Sequence, residues 1–576
     1  MKRIAWALVV MLVGAGCATT PKWAGASTMA EEKFPGRDEL QQVALRAPKL
    51  DTAKHDAVAV ESWTLEGPFP SEVTVTMVKP TTPWELELAQ AAPALGSVLS
   101  VDLQCIAREV ARFLLVHKSA PGNSLLAFIE RRCGTTASDV QLNYLTGDVP
   151  ETVTDAEWLA QWKAGMGKQA QALGTPEVAG IAVRRDGKRG VMVLTTGALG
   201  ARYTAPIPLV GTTGTVVMRG RLSKGSAERI DALINKGAYG VAHCKTLDVL
   251  SPPEFALECP VDPADEHTTL ELVAYDSGRM LGRQVASFLL WPRGSPVNVW
   301  KGPAGHEEVA AGEFESRFLM AVNAIRTAAG LPLLSLAKQQ SATARLLAPH
   351  YFSAAFGEGD PLDSDRVALG MMAGWDVGVD IVSAGFASQW LSGTRDLSVF
   401  VEFILDSPYT RQAIVDPRAT QLAVGAVDNV VSSLAAIFAT YVPIGTFDRK
   451  EAELALITRL NEARVDRKLK IAQWTTWPID EGEVMAQNLA AKRWEPREAL
   501  QYVLGKSAEV SQGRVSGYVQ LVDDLKNFQF PPEVLTRPDI NVFLAVAVYR
   551  GEDWAHSRYV VCFIISNSKD VQTASR

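Results

Sequence analysis

The sequence predicts an α+β protein of several domains, in which units that open with a helix and close on a β-hairpin flank an antiparallel β-sandwich. Three observations lead there. A chain of 576 residues, 47% hydrophobic and 21% charged, is ordinary globular material with enough apolar residues for three or four cores of the usual domain size. Residues 199–293 hold short apolar and β-branched segments, Gly214 to Met218, Gly237 to Ala242, Thr268 to Tyr275 and Val285 to Leu290. Turn residues such as Ser251, Pro252, Pro253, Asp276, Ser277 and Gly278 divide them, as in a sandwich of about 90 residues. On either side, apolar residues recur at helical spacing and are followed by paired strands.

At the amino terminus Lys2 and Arg3 precede an apolar run from Ile4 to Val13, then Gly14, Ala15, Gly16 and Cys17. The run is too short to cross a bilayer and has the charged, apolar and small-residue order of a secretory leader. It resembles a bacterial lipoprotein signal over residues 1–17, although Gly14 stands where that family usually has leucine. The resemblance implies a diacylated Cys17, attachment to the membrane through that lipid anchor, and, from Ala18 in place of Asp, sorting to the outer membrane of the cell envelope. No later run of about 18 uncharged apolar residues offers a second anchor. Residues 18–51 lack a sustained apolar period and are expected to be a solvated tether. Loss of the leader removes Lys2 and Arg3 and takes the net charge from −7 to −9. An acidic chain with no basic, aromatic-interleaved stretch is a poor partner for nucleic acid.

Of six cysteines, five remain when Cys17 is set aside. Export permits disulfides, and short separations suggest Cys105 with Cys133 and Cys244 with Cys259, among the three connectivities that four cysteines allow. Cys562 lies in the apolar run Val560 to Ile565 and is expected to be a buried small hydrophobe.

Within residues 314–446 the first helix places Leu319, Val322 and Ile325 on one face before Gly330 stops it. A second helix runs through Ala342, Ala344, Leu346 and Leu347. Much later come DSPYTRQAIVDP, Asp406 to Pro417, and two apolar strands, Gln421 to Val427 and Leu434 to Val442, with a polar turn at Asp428 and Asn429. The N-x-x-R-x-x-x-G-L-P-x-L run at Asn323, Arg326, Gly330, Leu331, Pro332 and Leu334, the S-P-x-x-R run at Ser407, Pro408 and Arg411, and the strand Leu422 to Asp428 resemble the CAP superfamily of cysteine-rich secretory and pathogenesis-related proteins. The resemblance implies an α/β/α sandwich. Leu456, Leu460, Asn461, Arg464 and Leu469 repeat the opening helix within residues 450–568, and Val542 to Tyr549 and Tyr559 to Ile565 repeat the hairpin, so a diverged copy is expected. A fainter trace lies in residues 52–198. There a helix carries Leu103, Ile106, Ala107, Val110, Ala111 and Leu114, and a hairpin turns at Asp186 and Gly187. An unrelated α/β domain fits that stretch equally well.

The resemblance also implies a cleft with two histidines and two acidic residues, sometimes holding a divalent metal. Its candidate positions here are His350, Asp380, Thr410 and Arg411. Thr410 stands where the second histidine belongs, and Val379 replaces the acidic residue of a G-E-N segment falling on Gly378, Val379 and Asp380. Threonine is a poor metal ligand and one imidazole does not hold an ion alone, so no catalytic residue, metal or cofactor is expected. His306 and Glu307 begin H-E-x-x-H, but residue 310 is alanine. Gly505, Lys506 and Ser507 end a phosphate-loop pattern whose upstream glycine is Leu500. Trp158 and Trp162, four apart, are expected in a core, and Arg131 and Arg132 read as a solvated helix end. Trp474, Trp477 and Trp494 are dense enough to line a groove. The expected function is a non-enzymatic binding or adhesion module with a glycan, lipid or protein ligand. The alternatives are a metal-dependent hydrolase or peptidase using His350 with Glu358 or Asp360, and a lipid or sterol carrier.

Overall fold

The computed structural model describes residues 34–566 apart from short stretches, the longer being 51–56, 92–97, 164–175 and 428–433. Cys17 and the rest of the leader, Trp162, His306, Asp428 and Asn429 lie outside the described residues. The protein is α+β. It divides into two compact units, one of Pro35–Met371 and Gly385–Thr440, the other of Phe34, Met372–Ala384 and the chain from Tyr441 on. Among the described residues no helix is long and apolar enough to cross a membrane.

The first unit opens with helix α1 (Arg37–Ala44), inside the stretch expected to be a solvated tether. That expectation is corrected. Leu40 and Val43, three apart and so on one helix face, are 5% and 1% exposed. Leu40 packs on Gly370, where an added Cβ would lie 2.4 Å from the leucine side chain. Arg46 donates to Asp363 at 2.7 Å. Eight residues with two apolar anchors are too few for a helical period to stand out, and too few for a helix to persist unaided.

Helices α2 (Pro83–Ala91), α3 (Val101–His117) and α4 (Asn123–Arg132) surround a three-stranded sheet of β1 (Ala137–Asp148), β2 (Val178–Arg185) and β3 (Arg189–Leu199), ordered β1-β3-β2. Both faces of the sheet are covered. Val178, Ala182, Val191 and Val193 meet Ile106, Val110 and Leu114 of α3, while Ala179, Ile181, Met192 and Leu194 meet Trp158 and Leu159. The alternation is the two-residue period of a strand. Cys105 is bonded to Cys133 across a separation of 28 residues, a loop whose closure stabilises by about 3.5 kcal/mol in the chain-entropy account.

Next come β4 (Ala201–Tyr203), β5 (Gly214–Leu222), β6 (Ala227–Lys236), β7 (Gly240–His243), β8 (Lys245–Thr246), β9 (Glu254–Val261), β10 (Thr268–Asp276) and β11 (Arg283–Leu290). They form two four-stranded sheets, β8-β9-β5-β4 and β7-β6-β10-β11. Val216, Met218, Leu257 and Cys259 of one sheet share a core with Ile234, Leu270, Leu272 and Phe288 of the other. Cys244 is bonded to Cys259.

Two similar α/β segments follow. The first has α5 (Ala311–Ala328), β12 (Ser335–Leu336), α6 (Lys338–Ala355), α7 (Leu362–Ala373), β13 (Ile381–Leu391), α8 (Leu397–Asp406), α9 (Pro408–Val415), β14 (Gln421–Val427) and β15 (Leu434–Pro443), with sheet order β12-β14-β15-β13. The second has α10 (Arg449–Asp466), β16 (Gln473–Trp474), α11 (Glu481–Ala490), α12 (Pro496–Ser511), β17 (Val515–Val522), β18 (Asn541–Tyr549) and β19 (Arg558–Ser566), with sheet order β16-β18-β19-β17. Strand for strand the orders correspond, and in each the short first strand pairs in parallel with the strand beside it.

The same two side chains lock each opening helix. Asn323 accepts from the Leu334 N–H at 2.8 Å, and Asn461 from the Ala472 N–H at 2.7 Å. Arg326 donates from Nε to the Pro332 carbonyl and from its terminal nitrogens to those of Ile414, Asp416 and Ala419. Arg464 does likewise with Lys470, Val534, Arg537 and Pro538. Both guanidinium groups are wholly buried. In the second segment the sheet lies between two helical layers. Val542, Leu544 and Val546 pack with Leu456 and Leu460 of α10, and Phe543, Ala545 and Ala547 with residues of α11 and α12. Cys562 sits in that interior, and burial pushes its thiol pKa up.

Candidate functional site

Each of the four candidate cleft residues has a structural partner. His350 is 5% exposed on α6, which packs against α1. Burial lowers its pKa. Asp363 and the Ala44 backbone oppose that shift and Arg46 adds to it. Thr410, in α9, turns its hydroxyl back onto the Ile404 carbonyl at 2.7 Å. Arg411, beside it, donates to the carbonyl of Leu405 and to those of Gly237 and Gly240 in the sandwich, at 3.2 and 3.3 Å. Burial pushes its pKa down to about 10, with Asp406 and Asp265 opposing. Asp380, in the other compact unit, accepts from Arg550 at 2.8 Å. Asp360 accepts from the Leu362 N–H and from Arg366, which hold its carboxyl below the usual range. Among the described residues no group of three His, Cys, Asp or Glu side chains is placed to hold a metal ion.

The titratable groups that do converge in the first unit include several that the sequence did not single out. Glu271 sits on β10 between the core residues Leu270 and Leu272, so it points to the outer face of its sheet, yet it is 1% exposed. That face is covered by the start of α9. Glu271 Oε2 accepts from the Ser407 hydroxyl at 2.9 Å and from the Tyr409 N–H at 3.2 Å, which places a carboxyl at the positive end of the helix. Asn235 of β6 donates to the carbonyls of Leu405 and Asp406. Arg131 of α4 stands 3.6 Å from the Asp406 carboxyl. Burial raises the pKa of Glu271 and of Asp406, and Arg131 is the chief influence lowering both.

The solvated helix end expected at Arg131 and Arg132 is therefore corrected, since both are buried. Arg132 lies over the Phe69 ring at 4.1 Å and donates to Asn298, and burial pushes its pKa down to about 10. Neighbouring domains cover this helix end, which the helix's own periodicity does not report. The junction joins three domains through one arginine, two carboxyls and a helix start. Its chemistry is suited to holding those domains together.

Two further carboxyls are pushed up to about 7 by burial, Glu130 against the pull of Arg131 and Glu402 with help from Asp406. Glu402 reaches solvent, which screens its shift, so half-buried Glu130 is the better probe. A raised carboxyl pKa contributes stability that is complete below the unfolded value of 4.5 and is lost as pH rises through about 7. In thermal scans from pH 5 to pH 8, wild type is expected to lose more melting temperature than Glu130→Gln. Parallel profiles would show that Glu130 titrates normally.

The groove expected between Trp474, Trp477 and Trp494 is also corrected. Trp477 and Trp494 abut the core on one face of the second segment's sheet. There Trp477 donates to Ser507 at 3.2 Å, and Trp494 lies 4.7 Å from the Tyr502 ring. Trp474 packs with Val542 and Phe563 on the opposite face. Trp158 is a core residue, edge-on to Trp84.

No protein-family model matches the chain, and no curated protein matches it. Among solved structures the chain is similar to an extracellular protein containing an SCP domain from Bacillus anthracis str. Ames, at 15% identity over 52% of this chain and 93% of that one. The TM-score is 0.18, too low for the likeness to bear on this chain's fold or function.

Proposed function

We propose that the chain is a non-enzymatic envelope protein, anchored at the outer membrane by a lipid on Cys17. Its CAP-like α/β/α units and β-sandwich work as a binding or adhesion module for a glycan, lipid or protein ligand. One observation supports this reading above the others: at the positions of the resembling family's reactive cleft, Thr410 and Arg411 bind the protein's own backbone and Asp380 pairs with Arg550. Arg411 ties α9 to two sandwich carbonyls, Thr410 closes on Ile404, and His350 is buried. A guanidinium and a hydroxyl committed to buried carbonyls are not free to polarise a substrate.

Two experiments test the reading. Expressed in a Gram-negative host, wild type is expected in the membrane fraction with a diacylglyceryl group on its amino-terminal peptide, and Cys17→Ser in the soluble fraction. Unmodified Cys17 in membrane-bound wild type would end the anchor assignment. Purified protein, stripped with chelator and then offered zinc, is expected to bind less than stoichiometric metal and to leave peptide and ester substrates intact. Stoichiometric zinc with turnover would replace the binding module by a hydrolase.

A further inference from the structure

We propose that α1 and His350 form an acid-released latch, in which a proton on the imidazole and the docked N-terminal helix exclude one another. Leu40 and Val43 supply the apolar part of the docking. The polar part consists of Arg46 at 2.7 Å from Asp363 and 3.5 Å from Asp360, and Glu39 at 3.5 Å from Arg366, with buried His350 beside the Ala44 backbone. The helix has no side-chain cap at Gly36 and no basic residue in its last turn, so little but docking keeps it helical. Undocking and unwinding are therefore one event, which gives the latch two states.

Burial of His350 decides the direction, and of the charged groups facing it Asp363 works against that direction and Arg46 with it. Arg46 comes from α1 itself. From α7 comes Asp363, already shared between Arg46 and Arg366 at 2.7 and 3.1 Å. A second positive charge at His350 would sit out of water, beside one cation, with a carboxylate that two guanidinium groups already engage. Release of α1 removes Arg46 and opens the ring to solvent, which restores an ordinary histidine. A pKa held below the ordinary 6.5 by burial, as here, contributes docking stability that is complete above 6.5 and is lost as pH falls below it. The latch does not depend on what the module binds or on whether Cys17 carries a lipid.

The test is amide hydrogen exchange of the full chain at pH 7.5 and pH 5.5, corrected for the pH dependence of intrinsic exchange. Protection of residues 37–44 is expected to fall several-fold at the lower pH while α3 keeps its protection. In His350→Gln, which retains an N–H donor but takes up no proton, protection of α1 is expected to stay level. Level protection in wild type, or an equal fall in the variant, would overturn the latch. Should the variant not fold, deuterium exchange at the imidazole C2 position of His350 in wild type decides instead. A midpoint below the ordinary histidine value supports the latch, and one at or above it overturns it.

Discussion

Arg326→Ala is expected to destabilise the first unit by about 3–5 kcal/mol, because it strands four backbone carbonyls in a site that water does not reach. An unsatisfied buried acceptor costs about 1–3 kcal/mol, and local rearrangement recovers part of the sum. Arg326→Lys should recover little, since one ammonium cannot reproduce the planar fork that spans Pro332 on one side and Ile414, Asp416 and Ala419 on the other. With more than one compact unit, the loss is best read as a shift of an individual urea transition and not as one global value. Arg464→Ala should cost as much and move a different transition, because its carbonyls at Lys470, Val534, Arg537 and Pro538 belong to the other unit. A shift below about 1 kcal/mol for either variant would mean that its arginine is dispensable to the loop it binds.

Gly425→Ala is expected to cost about 3 kcal/mol or to prevent folding. A Cβ at this position in β14 would stand 2.3 Å from the carbonyl carbon and oxygen of Ala344 in α6, and both are backbone atoms with no rotamer to yield. The helix would have to rise off the sheet, which would also stretch the 3.1 Å bond from the Val424 N–H to the Ser341 hydroxyl. Gly180 in β2 plays the same part against the Leu103 carbonyl of α3, at 2.1 Å. Gly505→Ala is the control. It lies in α12 with nothing within 4 Å, so alanine should stabilise by up to about 1 kcal/mol through helix propensity. Equal melting temperatures for Gly425→Ala and wild type would mean that α6 is not held closely to the sheet.

The alternation of the strands, the helical stretch from Phe318 to Ala328 and the arrest of that helix near Gly330 were legible, because each depends on residues a few positions apart. The importance of Asn323 and Arg326 was legible as a motif, and its echo at Asn461 and Arg464 as a repeat. Their task was not, since six of the eight carbonyls that the two arginines hold lie 70 or more residues further along the chain. The cleft read at His350, Asp380, Thr410 and Arg411 followed from a pattern. Spacing along the chain does not tell whether a side chain meets a ligand or its own backbone.

What the sequence by itself determined is the α+β alternation, the local periods, and the residue types each turn and tight contact demands. Only the tertiary structure decided which faces are covered. Strand alternation sets Glu271 opposite Leu270 and Leu272 but does not say that α9 lies over it, and two apolar residues, Leu40 and Val43, announced neither a helix nor α6 and α7 beneath it. Burial is set by whatever arrives from elsewhere in the chain. It moves the protons of Glu130, Glu271 and His350, so the chemistry of those groups is a property of packing.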